Sequence, residues 1–240
     1  MEKSTNKKYF KGLTRKEYIE LATRIANEQG INHLTIRRLA DELNCSSAAL
    51  YRYFKNKEEL TYFVNLQVLE TYIERLNKAQ LIWDNPWDVY TGVWDCYARE
   101  AFTHTEAYDQ LFFRHSNTIL NDKINEFYKM FPNNITNANE IFQEMLSTAD
   151  FMSRDYRMCI RCAEANAISY EKSKQLNRSV CMLFKGYFKT VQNEGIEKYG
   201  VDSWTRQCID DIDMIIFSLA DDLQGYKGYY VNNDPIEITS

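Results

Sequence analysis

The sequence predicts an all-α protein, a three-helix helix-turn-helix head followed by a larger helical body. Three observations carry that expectation. Only 8 Gly and 3 Pro interrupt 240 residues, so helix breakers are scarce. No stretch keeps the strict apolar–polar alternation of a half-buried strand. Apolar residues recur instead at three- and four-residue spacing, which lines one face of a helix. With 45% hydrophobic residues, the chain can bury one large core or two modest ones.

Lys3, Lys7, Lys8 and Lys11 open the chain as a basic leader, either disordered or able to reach along a polyanion. The first eleven residues are polar and lack the apolar run of a secretory signal, and no run of 18 apolar residues is long enough to span a membrane. Six Cys without a regular framework fit free thiols in a reducing compartment. The expected location is therefore the cytoplasm.

The first helix is expected over residues 14–29, with Tyr18, Leu21, Ala22 and Ile25 as its apolar stripe and Gly30 as its stop. Thr35 can cap a second helix through its hydroxyl, and Ile36, Leu39, Ala40 and Leu43 share one face of it. Asn44 ends that helix, since Asn accepts a left-handed backbone at low cost. Ser46 caps a third, short helix reaching to about Phe54. Two helices joined by so tight a turn form a helix-turn-helix, whose second helix can enter the DNA major groove. At 100° per residue, Leu50 and Phe54 fall on its buried side. Ser47, Ala48, Tyr51, Arg52 and Lys55 fall opposite. Small residues at the leading end allow close approach to base edges, and Ala48 suits a thymine methyl. Tyr51, Arg52 and Lys55 are donors for phosphate or guanine, and Lys57 at the start of the next helix suits a phosphate.

The series Thr35, Ile36, Leu39, Ala40, then Leu50, Tyr51, Tyr53, Phe54, Lys55, Lys57, Glu58 and Leu60 resembles the DNA-binding domain of TetR-type (TetR/AcrR) bacterial regulators. The resemblance covers roughly residues 13–62, a quarter of the chain. It implies that Thr35 and Arg37 lie at the DNA backbone, that Ser47 and Ala48 read bases, and that Tyr51 and Lys57 hold phosphates. Ser46, Arg52, Tyr53 and Lys55 complete the expected DNA-binding set. Asn44 departs from the Gly usual in that family, with the same backbone capacity. The charge distribution agrees: residues 1–60 hold 12 Lys and Arg against 8 Asp and Glu, a net of +4. Residues 61–240 hold 17 against 26, a net of −9. A basic head on an acidic body is expected where only the head touches phosphates.

From residue 57 to about 80 the pattern reads as one long helix, with Tyr62, Leu66, Leu69, Ile73 and Leu76 as its seam. Its role would be mechanical, linking the DNA end to the body. Asn85-Pro86 starts another helix, running to about residue 103 and carrying Trp87, Tyr90, Trp94, Tyr97 and Phe102. Further helices are expected over 104–113, 121–131 and from a capping box at 137–140, then over 154–167, 171–192 and 203–223. Gly186 lies inside the 171–192 helix, at a cost of about 1 kcal/mol unless a neighbouring backbone needs the room. Residues 225–240 read as a loose polar tail. The dense aromatics either line an apolar ligand cavity or fill a core. Trp94, Tyr97, Phe112, Phe113, His115 and Phe127 are the candidate pocket residues.

Other chemistry is thin. Cys159-Ile-Arg-Cys162 has the spacing of zinc and redox sites, but lies in an expected helix with no second pair and no nearby His. Two ordinary thiols, or a redox-sensing pair, remain open. His104 and His115 flank the short aromatic helix, where one could orient a ligand or simply cap it. Asp210, Asp211 and Asp213 read as a solvated helix face, not a metal site. No Gly-rich phosphate loop or nucleophile elbow is present, so neither enzyme activity, a cofactor nor a metal is expected.

The resemblance implies two domains, a DNA-binding domain over 1–56 and an effector-binding and dimerisation domain over 57–240. It implies a homodimer through the last two long helices, about 171–192 and 203–223. It also implies repression of a double-stranded DNA operator, relieved when an unidentified small-molecule effector shifts the 57–80 helix. Paired half-sites independently favour a two-fold dimer. The rivals are an effector-independent nucleoid or structural DNA binder, and a thiol redox protein using Cys159 and Cys162.

Overall fold

The computed structural model describes residues 13–114, 117–132, 135, 138–148, 150–197 and 199–233, the side chains at 117–121 and 232 excepted. Among the described residues there are helices and turns and no strand. The chain forms two compact units that divide between Gln67 and Val68.

The head holds α1 (Arg15–Gln29), a 3-10 turn at Ile31–His33, α2 (Ile36–Glu42), α3 (Ser47–Leu50) and α4 (Lys57–Leu66). Local signals set most of these ends. Thr14 and Glu17 form a reciprocal capping box on α1. Thr35, Ser46 and Asn56 cap the three helices that follow, each side-chain oxygen accepting from a backbone N–H three residues on. Ile19, Leu39, Leu50, Phe54, Leu60 and Phe63 are fully buried in its core. Arg15 pairs with Glu59 at 2.8 Å and lies 4.6 Å from the Phe63 ring centre. α4 supplies part of the head's own core, so the head's compact unit extends through it to Gln67.

The expected single helix over 57–80 is two helices. α4 ends at Leu66, and α5 runs Leu69–Ala79. Gln67 N–H donates to the Val64 carbonyl, so the ladder tightens to three-residue bonding there. Of the expected seam, Leu66, Leu69, Ile73 and Leu76 are buried and Tyr62 is half-buried. Apolar spacing does not register a slip in backbone bonding.

The body continues with α6 (Pro86–Thr103), α7 (Thr105–Phe112), α8 (Asn117–Met130), α9 (Glu140–Leu146), α10 (Phe151–Glu164), α11 (Tyr170–Glu194), α12 (Gly200–Leu219) and α13 (Tyr229–Asn232). Asn139, not residue 137, caps α9; position 137 lies outside the described residues. α10 starts at Phe151 behind an Asp150 cap, earlier than expected, and α12 stops at Leu219 where Ala220 turns extended. α6 is central: every residue from Tyr90 to Phe102 is buried, and it packs against α5, α7, α10, α11, α12 and α13. At Gly92 an added Cβ would fall 2.1 Å from the Trp83 indole, so this helical glycine makes room for that ring.

Several charges inside this core are tied down. Arg99 pairs with Asp95, and Arg75 with Glu100 at 2.7 Å. The Asp155 carboxylate on α10 accepts from Trp94 Nε1 (2.9 Å) and Tyr90 Oη (3.4 Å) on α6. It also accepts from Asn177 Nδ2 (2.8 Å) on α11. Residues 226–233 are not a loose tail. Tyr226 and Tyr229 are buried, and Asp213 accepts from the Tyr226 hydroxyl (2.5 Å) and the Tyr229 N–H (2.9 Å). Tyr230 donates to Asp95, and Asn233 to Asp88. Asp213 is thus a buried anchor, not part of a solvated face. A run of Gly, Lys and Asn hides this because the packing comes from tyrosines spaced between them.

Burial raises both Asp155 and Asp213 to about 6 against the hydrogen bonds that pull them down. An unfolded Asp titrates near 3.9, so the folded chain holds extra protons between those values. That stabilisation is complete below about pH 4 and is lost as pH rises through 6. The body should therefore be more stable at pH 5 than at pH 7, by ~1–3 kcal/mol. The check is the urea midpoint at the two pH values, and Asp213→Asn should remove about half of the difference.

Candidate nucleic-acid interface and body cavity

In the head, the turn between α2 and α3 rests on Asn44, whose φ of 49° is left-handed as its residue type suggested. Cys45 N–H then donates to the Ala40 carbonyl at 3.0 Å, closing the turn. α3 is regular only to Leu50, and hydrogen-bonded turns carry the chain to Phe54. Leu50 and Phe54 are fully buried, which fixes the opposite side outward. Thr35, Arg37, Ser46, Ala48, Tyr51, Arg52, Lys55 and Lys57 are exposed. Tyr51, at 57% exposure, is a large aromatic left in water by a fold that buries most others.

Two expected contact residues are placed differently. Tyr53 is half-buried with its ring 4.8 Å from that of Tyr18. Ser47 is also half-buried, one residue inside the cap. Ser46 uses its hydroxyl oxygen to accept from Ala49 N–H at 3.3 Å, leaving the hydroxyl proton and one lone pair for an outside partner. Lys55 N–H donates to Glu59, the same carboxylate that holds Arg15. That carboxylate thereby joins α1, the end of the recognition turn and α4. Sequence reasoning missed His33 and Arg38, which border a groove with Thr35, Arg37 and Asn44. Their only signal was adjacency to the capped turn.

In the body, the aromatic cluster is largely filled. The cavity within it measures about 30 Å³ and is bordered by Trp94 and Tyr97 as expected, and by Tyr72, Phe151, Arg154 and Met158, which were not. Phe112 lies beneath the Arg154 guanidinium, with its ring centre 5.1 Å away. Phe113 packs on Phe151 and Phe188, and Phe127 on Tyr128 and Phe131, as ordinary core contacts. His115 lies outside the described residues, and His104 is exposed beside Glu100 at 3.9 Å.

Cys159 and Cys162 are free and buried. Burial pushes both thiols up, and the Asp155 charge adds to the effect. A reactive thiolate needs the opposite environment. Among the described residues no group of three His, Cys, Asp or Glu could hold a metal ion. Nor is any described helix long and apolar enough to cross a membrane.

Residues 19–61 match the family described as bacterial regulatory proteins, tetR family. An HTH-type transcriptional regulator of Staphylococcus aureus is 31% identical over 61 residues, a stretch that makes up 25% of this chain and a third (33%) of that protein's length. A transcriptional regulator of the TetR/AcrR family from Thermobifida fusca shares the fold over 89% of this chain and 98% of its own, with a TM-score of 0.54 at 15% identity. FadR from Bacillus subtilis, solved in complex with stearoyl-CoA, is similar over 85% of this chain and 98% of its own, with a TM-score of 0.51 at 16% identity. The head thus matches the tetR family in sequence over residues 19–61, and most of the chain shares the fold of a TetR/AcrR-family regulator.

Proposed function

We propose that the protein is a homodimeric, sequence-specific repressor that leaves its operator when a small molecule binds in the body. The observation that carries this is the exposed set Thr35, Arg37, Ala48, Tyr51, Arg52 and Lys57, held outward by the burial of Leu50 and Phe54. Ala48 reads base edges, while Tyr51 and Lys57 hold phosphates on either side. The stearoyl-CoA bound by FadR supports a small-molecule effector for a body of this fold. Its signal would pass along α5 to α4 through the Gln67–Val68 junction. A coupling of about 1–3 kcal/mol would change operator affinity about 5–150-fold.

Dimerisation is assigned to α11 and α12. Met182 on α11 and Met214 and Phe217 on α12 are exposed apolar residues. Gly186, one turn after Met182, has nothing within 4 Å of an added Cβ. The room left there suits the backbone of a second subunit's helix. The rival of an effector-independent DNA binder draws on the small size of the cavity. It predicts DNA affinity that no metabolite changes.

The first test is a titration against the DNA upstream of the protein's own gene at two salt concentrations. Sequence-specific binding is expected. Tyr51→Ala and Lys57→Ala should each weaken it, and the salt slope should fall by about 0.9 for every phosphate that is no longer neutralised. Wild-type binding no tighter than to random duplex would remove the repressor reading. For the dimer, Gly186→Glu should yield monomers in sedimentation without changing helical content. Persistence of the dimer would move the interface elsewhere.

A further inference from the structure

Arg154 is 5% exposed, yet its Nη1 and Nη2 find no hydrogen-bond partner in the structure. A guanidinium removed from water normally meets a carboxylate or a set of carbonyls. Here it meets rings: its Cζ lies 5.1 Å from the Phe112 centroid and 6.0 Å from that of Tyr72. The nearby carboxylates are already engaged, Asp155 by Trp94 and Asn177, and Glu100 by Arg75.

The groups around it are donors as well. The hydroxyls of Tyr97, Tyr108 and Tyr128 are buried and without a partner, and that of Tyr72 donates to Met145 Sδ at 3.9 Å and faces the Arg154 side chain. Burial raises all four phenols, and the Arg154 charge works against that rise in each. One cation and several unpartnered hydroxyls thus share a largely apolar centre, and the carboxylate at its wall, Asp155, already accepts from Trp94, Tyr90 and Asn177. Arg154 and Tyr97 border the same cavity of about 30 Å³, with Val93, Met145, Phe151 and Met158 as apolar wall.

We propose that this centre binds the carboxylate of a small organic acid, whose two oxygens accept from Arg154 Nη1 and Nη2, with the Tyr97 hydroxyl as an additional donor. The inference rests on the effector reading of the body and names the class of effector. A carboxylate matches the planar guanidinium fork with two parallel hydrogen bonds. A single negative charge on Arg154, beside an Asp155 whose burial pushes its carboxyl up to about 6, adds less buried charge than a dianionic phosphate would. The cavity has room for only one or two waters, so it accommodates the head group alone. The apolar remainder of the acid takes the space of Met145 and Met158, unbranched side chains that adopt other rotamers readily. Binding therefore repacks the body around α5, α6 and α10, which is what an effector must do to be felt elsewhere.

The test uses the full chain, with calorimetric titration and thermal unfolding in benzoate, octanoate, neutral benzamide and sodium chloride at equal ionic strength. At least one acid should bind saturably and raise the Tm, with benzamide at least tenfold weaker. Arg154→Met should fold, since it removes an uncompensated buried charge, and should lose acid binding at least tenfold. Tyr97→Phe, which removes a hydroxyl without a partner, provides a second variant and should bind severalfold more weakly with unchanged circular dichroism. Overturning results would be no saturable binding of either acid, a Tm shift that chloride alone reproduces, or affinities of Tyr97→Phe and a folded Arg154→Met within twofold of wild type. None of these readouts involves DNA. Acid binding by a protein with no operator would keep the site and remove the repressor reading, and the reverse result would do the opposite.

Discussion

A carboxylate taken out of water must be met by donors or surrender its charge. At Asp155 that demand is met from three helices at once: Trp94 and Tyr90 from α6, Asn177 from α11, and the residue's own α10. The directions of these bonds leave the helices little freedom to slide. Around the same point the rings of Trp94, Tyr97, Phe151 and Phe184 pack with centroids 5.0–6.0 Å apart. The neighbouring Arg154 is turned about 100° around the helix and receives the opposite treatment, with rings in place of partners. Two adjacent charged residues therefore differ in purpose. One closes the core, and the other leaves a polar demand within it.

The head was readable because its instructions are local. Thr14, Thr35, Ser46 and Asn56 each act on a backbone N–H three residues away. Asn44 adopts the backbone its side chain tolerates. Such signals lie within a few residues of what they control, so the helix-turn-helix and its outward face could be drawn from the chain alone. Tyr53 escaped because its partner, Tyr18, comes from another helix.

The body was readable in the existence of its helices and much less in what they enclose. Apolar stripes located α6, α11 and α12, whereas the break after Leu66 left no Gly or Pro to mark it. Arg154, Asp155 and Asp213 look like solvated residues in a one-dimensional pattern. Their burial depends on donors 22 to 65 residues away in the case of Asp155, and on tyrosines beyond the end of α12 in the case of Asp213. Pairings at that separation leave no periodicity to read. The candidate pocket suffered likewise: aromatic content pointed to Trp94 and Tyr97, but the residue that gives the cavity its chemical character is a cation on a different helix.

The strap formed by Tyr226, Tyr229 and Tyr230 fixes an order of events during synthesis. Asp213 emerges from the ribosome before the Tyr226 hydroxyl and the Tyr229 N–H that satisfy it, and Asp95, paired within its helix to Arg99, gains the Tyr230 hydroxyl only later. Each of the head's four helix caps instead lies within three residues of its partner. Domains tend to fold as units from the N-terminal end of a growing chain. A nascent molecule therefore completes its head while the body still has buried acids awaiting their donors. Closure of the body over α12 therefore waits for Tyr226 and Tyr229.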